Sequence, residues 1–124
     1  MRTETIQYFS EKDEEFVNLL IDLGTKKNIA KLLVFLATVP EASSHSIERG
    51  TDMRQPEVSI ATKYLMEKGW IRMRGESSER KGRPMRIYKL AIPITEIMNI
   101  IEEEKKTEAR DQIALIRKLR DHIR

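Results

Sequence analysis

The stretch SIERGTDMRQPEVSIATKYLMEKGWI, residues 46–71, decides the fold of this chain. Two serines, Ser43 and Ser44, stand just before it, and a serine hydroxyl readily caps the N-terminus of a helix. The sequence therefore predicts a short helix over residues 45–50 that begins at this cap and ends at a glycine. Residues 51–55 then lead to a second helix.

The second helix of this pair is predicted over residues 56–68. Pro56 suits its first turn, where a missing N–H costs no helical hydrogen bond. Gly69 is placed to be its C-terminal cap. Three apolar positions share one face of this helix: Val58, Ala61 and Leu65. With that face turned inward, the outward positions are Gln55, Glu57, Ser59, Ile60 and Lys63.

A change of hydrophobic period after Gly69 predicts a β-hairpin. In WIRMRGE, residues 70–76, Ile71 and Met73 alternate with Arg72 and Arg74; in MRIYKL, residues 85–90, Met85 and Ile87 alternate with Arg86 and Tyr88. A period of two is typical of β-strands. Between the two runs lies SSERKGRP, residues 77–84, a polar turn that contains Gly and Pro. The hairpin therefore has a basic tip.

Two further helices are predicted before the helix pair. The first begins at an approximate capping box, Ser10 with Asp13, and ends at Gly24. Its apolar positions are Phe16, Leu19, Leu20 and Leu23. Thr25 can cap the second, which ends before Pro40 because the residue preceding a proline avoids the α region. Its apolar positions are Ile29, Leu32, Leu33, Leu36 and Val39.

One long helix is predicted at the C-terminal end, over residues 94–124, because no glycine or proline interrupts that segment. It begins with an apolar patch: Ile94, Ile97, Met98, Ile100 and Ile101. After the polar segment 102–112, apolar side chains return at Ile113, Ile116, Leu119 and Ile123. This second stripe predicts a homodimer interface. Folding back onto the first helix within one chain is the alternative.

Composition narrows the classes of protein to which the chain can belong. Of 124 residues, 23 are basic and 20 acidic, and the excess lies in residues 45–90, with 11 basic and 6 acidic side chains. The absence of cysteine favours a reducing, cytoplasmic location. No apolar run approaches the ~20 residues that span a bilayer, and the N-terminus has no signal-peptide pattern, so we expect no membrane partner. With only His45 and His122, we expect neither a metal nor another cofactor.

The order of these elements resembles the winged helix-turn-helix domains of archaeal and bacterial transcription regulators, particularly MarR-like and TrmB-like proteins. The resemblance is carried by residues 46–71 and by KGRPMRIYKL, residues 81–90, which is similar to the wing of those proteins. It covers roughly residues 27–92. Thr62 stands where many members have a core leucine, so we expect looser packing there. The resemblance implies a mainly α fold with a small β-hairpin.

The domain organisation that we expect has three parts. These are an N-terminal helix over residues 1–24, a winged helix-turn-helix DNA-binding domain over residues 25–92, and a dimerisation helix over residues 93–124. The function implied is that of a sequence-specific regulator that binds double-stranded DNA as a homodimer. Nothing in the sequence points to a small-molecule effector.

The predicted DNA contacts fall on the second helix of the pair and on the wing. A recognition helix presents side chains to base edges in the major groove. The helix residues are Arg54, Gln55, Glu57, Ser59, Ile60 and Lys63. Gln55 suits adenine, Ser59 a base or phosphate, and Lys63 guanine or the backbone. Glu57 either reads cytosine or points away from DNA, and an ordinary solvated helix face is the alternative for the whole set.

The wing, residues 74–86 with its flanks, supplies the predicted contacts with phosphate. Its basic residues are Arg72, Arg74, Arg80, Lys81, Arg83 and Arg86. Each side chain that neutralises a phosphate adds affinity through counterion release. Arg83, beside Gly82, is also suited to a narrow minor groove. Protection of an exposed hairpin edge explains one or two such charges, but not a cluster beside a helix-turn-helix.

Two other classes of function compete with DNA binding. A winged helix that docks onto another protein of the transcription or replication machinery is the principal alternative. An enzyme is not expected, because the acidic runs 13–15 and 102–104 lie on predicted helices with lysines nearby. Glu102 and Lys106, for example, form an i, i+4 pair of the kind that stabilises a helix.

Overall fold

The computed structural model describes residues 9–77 and 84–123, and within them it contains five helices and a three-stranded antiparallel sheet. The elements are α1 (Glu11–Asp22), α2 (Lys27–Thr38), β1 (Ala42–Ser43), α3 (Ser44–Thr51), α4 (Gln55–Glu67), β2 (Ile71–Ser77), β3 (Pro84–Leu90) and α5 (Ile94–Asp121). The predicted fold class, mainly α with a small hairpin and a long C-terminal helix, is confirmed.

Helix α1 begins at the predicted capping box. The Ser10 hydroxyl accepts from the Asp13 N–H at 3.1 Å, and the Asp13 carboxylate accepts from the Ser10 N–H at 3.0 Å. The predicted apolar face is wrong in part, because Leu19 is 57% exposed whereas Val17 and Leu20 are buried. Helix α1 has two overlapping apolar faces that both include Leu20. The face that packs against α2 and is buried is the one that also contains Val17.

Helix α2 does not use Thr25 as its cap, contrary to the prediction. Its N-cap is Lys26, which makes no side-chain capping bond. The Thr25 N–H instead donates to the Leu20 carbonyl at 3.0 Å, and Gly24 has a φ of 107°. Thr25 therefore helps to close the C-terminus of α1, a use that glycine in the left-handed region makes possible.

The core is centred on α2, where seven side chains are buried: Ile29, Ala30, Leu32, Leu33, Val34, Phe35 and Leu36. Helices α1, α3 and α4 all contact it. Helix α3 approaches most closely at Gly50, because a Cβ placed on this residue would overlap the Phe35 ring. The absence of a side chain at Gly50 thus allows α3 to pack directly against α2.

Strand β1 was not predicted, and it changes the environment of the hairpin. The strand order is β1-β3-β2, with Ala42 opposite Tyr88 and Ser43 opposite Ile87. Ile87 and Tyr88, neighbours on the middle strand β3, are both buried. Because neighbouring residues on a strand point to opposite faces, Ile87 and Tyr88 lie on different faces, as the predicted alternation requires, and both faces are covered at this point.

Residues up to Ile92 form one compact unit, and residues from Pro93 form a second. In the second unit, Ile97 and Ile101 of α5 are buried, and every described side chain from Lys106 onward is exposed. The predicted Glu102–Lys106 pair is present at 3.4 Å. The hydrogen bond between Lys106 and Glu102 raises the pKa of the Lys106 ammonium above its ordinary value.

Among the described helices, none has the length and apolar character needed to cross a membrane.

Candidate nucleic-acid interface

The turn between α3 and α4 fixes the position of the helix pair. The Ser43 hydroxyl caps α3 by accepting from the Ser46 N–H at 3.1 Å. At the other end of α3, Asp52 has a φ of 56° and the Met53 N–H donates to the Glu48 carbonyl at 3.2 Å. Aspartate tolerates this left-handed conformation better than most residues, so the chain reverses within a few residues.

One face of α4 is fixed in the core. Val58, Ala61, Thr62 and Leu65 are buried. The Thr62 hydroxyl donates to the Ser59 carbonyl at 3.1 Å, so the only polar group among them is satisfied within the helix. Thr62 is 2% exposed. Anchoring of this face fixes which side chains the helix presents outward.

All six predicted residues of the recognition helix are exposed: Arg54, Gln55, Glu57, Ser59, Ile60 and Lys63. Ile60 is 71% exposed, an unusual position for a large apolar side chain. The Glu57 carboxylate accepts from the Arg54 N–H at 2.8 Å, so it points back toward the start of the helix. Of the two roles left open for Glu57, this geometry favours the one in which it does not read a base.

A cleft lies along each side of α4. The first cleft, about 900 Å³, is bounded by the start of α3, by α4 and by β3, and its lining includes His45, Ser46, Gln55, Ser59 and Arg86. The second cleft, about 580 Å³, is bounded by the start of α2 and by α4, and its lining includes Lys26, Lys27, Lys31, Glu57 and Ile60. At about 100° per residue, Gln55 and Ser59 lie on the opposite side of α4 from Glu57 and Ile60.

Several residues that line these clefts were missed by sequence reasoning. The sequence placed Ser44, His45 and Ser46 at the start of a helix and predicted no DNA contact for them, whereas in the structure they line the first cleft together with Ser59. The signal that could have identified them is a run of small polar residues at the first turn of the helix that precedes α4. Lys26 and Lys27 give no such signal, since their proximity to α4 depends on tertiary packing.

The predicted wing residues are divided between two faces of the sheet. Arg86 pairs with Gly75, and Arg74 pairs with Ile87. Because neighbouring residues on a strand point to opposite faces, Arg86 lies on one face and Arg74 on the other. Arg86 lines the first cleft.

The arginines of β2 have partners within the protein. The Arg74 guanidinium donates to the Glu41 carboxylate at 2.6 Å, and the Arg72 guanidinium donates to the Ala91 carbonyl at 3.4 Å. Both residues are exposed. The other predicted basic residues of the wing, Arg80, Lys81 and Arg83, lie outside the described residues.

The predicted dimer stripe on α5 is exposed along its whole length. Ile113 is 49% exposed, Ile116 48%, Leu119 66% and Ile123 74%.

Over residues 9–77 and 84–123, no group of three or more His, Asp or Glu side chains is arranged to hold a metal ion.

Comparison with solved structures identifies the architecture. A possible transcriptional regulator from Methanosarcina mazei Go1 is 18% identical, with a TM-score of 0.63 over 90% of this chain and 89% of that one. This chain has a winged helix-turn-helix fold. A MarR family transcription regulator is 17% identical, with a TM-score of 0.51 over 89% of this chain and 82% of that one. No protein-family model and no curated protein matches the sequence.

Proposed function

We propose that this winged helix-turn-helix protein is a transcriptional regulator that binds double-stranded DNA sequence-specifically as a homodimer. The observation that carries the proposal is the outward face of α4, a row of exposed side chains on a helix that is anchored in the core and flanked by a cleft on each side. In this proposal α4 enters the major groove, the wing contacts the backbone or the minor groove, and the protein performs no catalysis.

The dimensions and chemistry of α4 suit base readout. The major groove is about 12 Å wide and admits one helix. Gln55 and Ser59 offer hydrogen-bonding groups on one side of the outward face, and Lys63 adds a positive charge near its centre. Ile60 offers only methyl and methylene groups, which fit the C5-methyl group of thymine. The exposure of Ile60 thus has a use in DNA recognition that a merely solvated face does not provide.

Positive charge on the wing supports contact with phosphates. Arg86 lines the first cleft together with Ser59, and Arg80, Lys81 and Arg83 stand between β2 and β3 in the sequence. Solved structures with this fold include proteins described as transcription regulators. A wing that binds phosphates would position α4 without itself selecting a sequence.

The homodimer is proposed from the second half of α5. Its stripe of exposed isoleucine and leucine is too apolar for an isolated helix in water. Residues 102–108 carry four glutamates and two lysines, whereas residues 110–120 carry four basic side chains and one aspartate. In an antiparallel pair, the basic end of one α5 approaches the acidic segment of the other. A second copy of this chain is therefore the occupant that we propose for the stripe.

A protein-interaction module is the second candidate function, and the exposure of Ile60 is the observation that favours it. A large apolar side chain on an exposed helix face is also what a protein partner would bury. Salt dependence separates the two functions, because phosphate contacts lose affinity steeply as salt rises.

The experiment is a titration of random-sequence duplex DNA with the full chain at several salt concentrations. We expect a linear fall of log affinity with log salt, and the variant R80A/K81A/R83A should flatten that slope by about 0.9 for each lost phosphate contact. An S59A or K63A variant should lose sequence preference in a selection from randomised duplexes. Absence of binding at low salt would contradict the proposal and favour the interaction module.

A further inference from the structure

The start of α2 carries positive charge beside the recognition helix. Lys26 and Lys27 are exposed, and both line the second cleft together with Ile60 of α4. Lys31 also lines this cleft, but its ammonium donates to the Thr51 carbonyl at 3.3 Å. From residue 23 to residue 40 the chain contains these three lysines and no acidic residue, although 35% of the whole chain is charged.

These lysines stand where they do not help the helix. Lys26 is the N-cap residue and makes no capping bond, and the first turn of α2 contains no acidic side chain. Positive charge near the N-terminus of a helix is unfavourable, because that end already carries partial positive charge. Serine, threonine, aspartate or asparagine would stabilise the same position. Local stability therefore does not account for Lys26 and Lys27.

The geometry of a helix in the major groove gives them a use. Such a helix lies between two phosphate backbones, one along each side. With α4 in the groove, the first cleft, which contains Arg86, faces one backbone, and the second cleft faces the other. We propose that Lys26 and Lys27 bind phosphates of that second backbone, so that α4 is held from both sides. This inference rests on the proposed function and extends it to residues outside the helix pair and the wing.

Two acidic residues, Asp52 and Glu57, also line the second cleft. The Glu57 carboxylate is held by the Arg54 N–H, as described above, and points toward the start of α4. Asp52 lies in the turn between α3 and α4. Lys26 and Lys27 lie instead on α2, the opposite wall of the cleft, and their long side chains can reach outward to a phosphate.

The test compares a double variant of the full chain with a control that removes a lysine outside both clefts. In K26Q/K27Q we expect weaker binding to every duplex and a salt slope lower by about 1.8, the value for two phosphate contacts. The control K12Q changes an exposed lysine of α1 that lines neither cleft, and it should keep the wild-type slope. Equal slopes for both variants and the wild type would overturn the inference and leave the proposed function intact.

A single variant, K26S, gives a second and independent readout. Serine at this position should raise the melting temperature of the protein, since it can cap α2, while the affinity for DNA falls. Loss of affinity together with loss of stability would indicate a structural role and contradict the inference. If the wild-type chain itself fails to bind duplex DNA at low salt, the proposed function fails, and this extension fails with it.

Discussion

Helix α2 and the second half of α5 carry apolar side chains at similar three- and four-residue steps, yet their environments are opposite. Seven of the 12 residues of α2 are buried, whereas Ile113, Ile116 and Leu119 of α5 are all at least 48% exposed. A periodic pattern shows that a helix has an apolar face, but it does not show what covers that face. The contrast predicts that mutations in α2 affect folding and that mutations in α5 affect association.

The largest effect is expected from removal of the second half of α5. A chain that ends at Glu103 should sediment as a monomer at concentrations where the full chain is a dimer. Each large apolar side chain removed from an interface costs about 1.5–3 kcal/mol, and the truncation removes several. The truncated chain should still fold, because its compact unit consists of the residues up to Ile92. A truncated dimer of unchanged affinity would show that the stripe is not the interface.

Leu33→Ala tests the prediction that mutations in α2 affect folding. Leu33 is fully buried in α2, and truncation of such a side chain costs about 2–5 kcal/mol. Denaturant unfolding should show this loss to the same extent at every protein concentration. The control Leu119→Ala, in the exposed stripe, should change stability only in proportion to dimerisation. A loss that depends on protein concentration for Leu33→Ala would contradict the prediction that mutations in α2 affect folding rather than association.

Gly50→Ala tests the close approach of α3 to α2. The added methyl group would overlap the Phe35 ring, so we expect a loss of about 1–3 kcal/mol in the free energy of unfolding. The double variant F35L/G50A should recover part of that loss, because leucine leaves more room. Two additive losses in a double-mutant cycle would argue against this contact.

The smallest effects are expected at Ser10 and Thr25, the predicted caps of the first two helices. Ser10→Ala should destabilise the protein by about 0.5–2 kcal/mol, because it removes the hydroxyl that accepts from the Asp13 N–H. Thr25→Ala should be close to neutral, since α2 begins after Lys26 and the Thr25 N–H remains available for Leu20. Thermal melts of both variants measure the loss of stability. Equal losses would indicate that Thr25 does cap α2.

The parts of the fold that the sequence predicted correctly depend on local signals. Ser43, Pro56 and Gly69 mark the limits of α3 and α4 through interactions within a few residues, and their effects do not require knowledge of the rest of the chain. The same holds for the capping box of α1. The exposed side chains of α4 followed directly once its buried face was known.

The parts that were missed depend on contacts between distant residues. Strand β1 has only two residues and exists because Ala42 and Ser43 pair with β3, more than 40 positions later. The choice between Val17 and Leu19 in α1 is made by α2, and the second cleft beside α4 forms only when α2 and α4 pack. Sequence periodicity contains no information about such pairings.

Ser43 has a double role that bears on the relative position of the helix pair and the wing, the two elements proposed to contact DNA. Its backbone pairs with Ile87 in the sheet, and its hydroxyl caps α3. The base of the wing and the start of the helix pair are thus joined through one residue, without a flexible linker. A duplex that touches both elements would meet a preorganised surface, and little conformational entropy would be lost in setting their separation. Their spacing is then a property of the folded monomer and is set before any encounter with DNA.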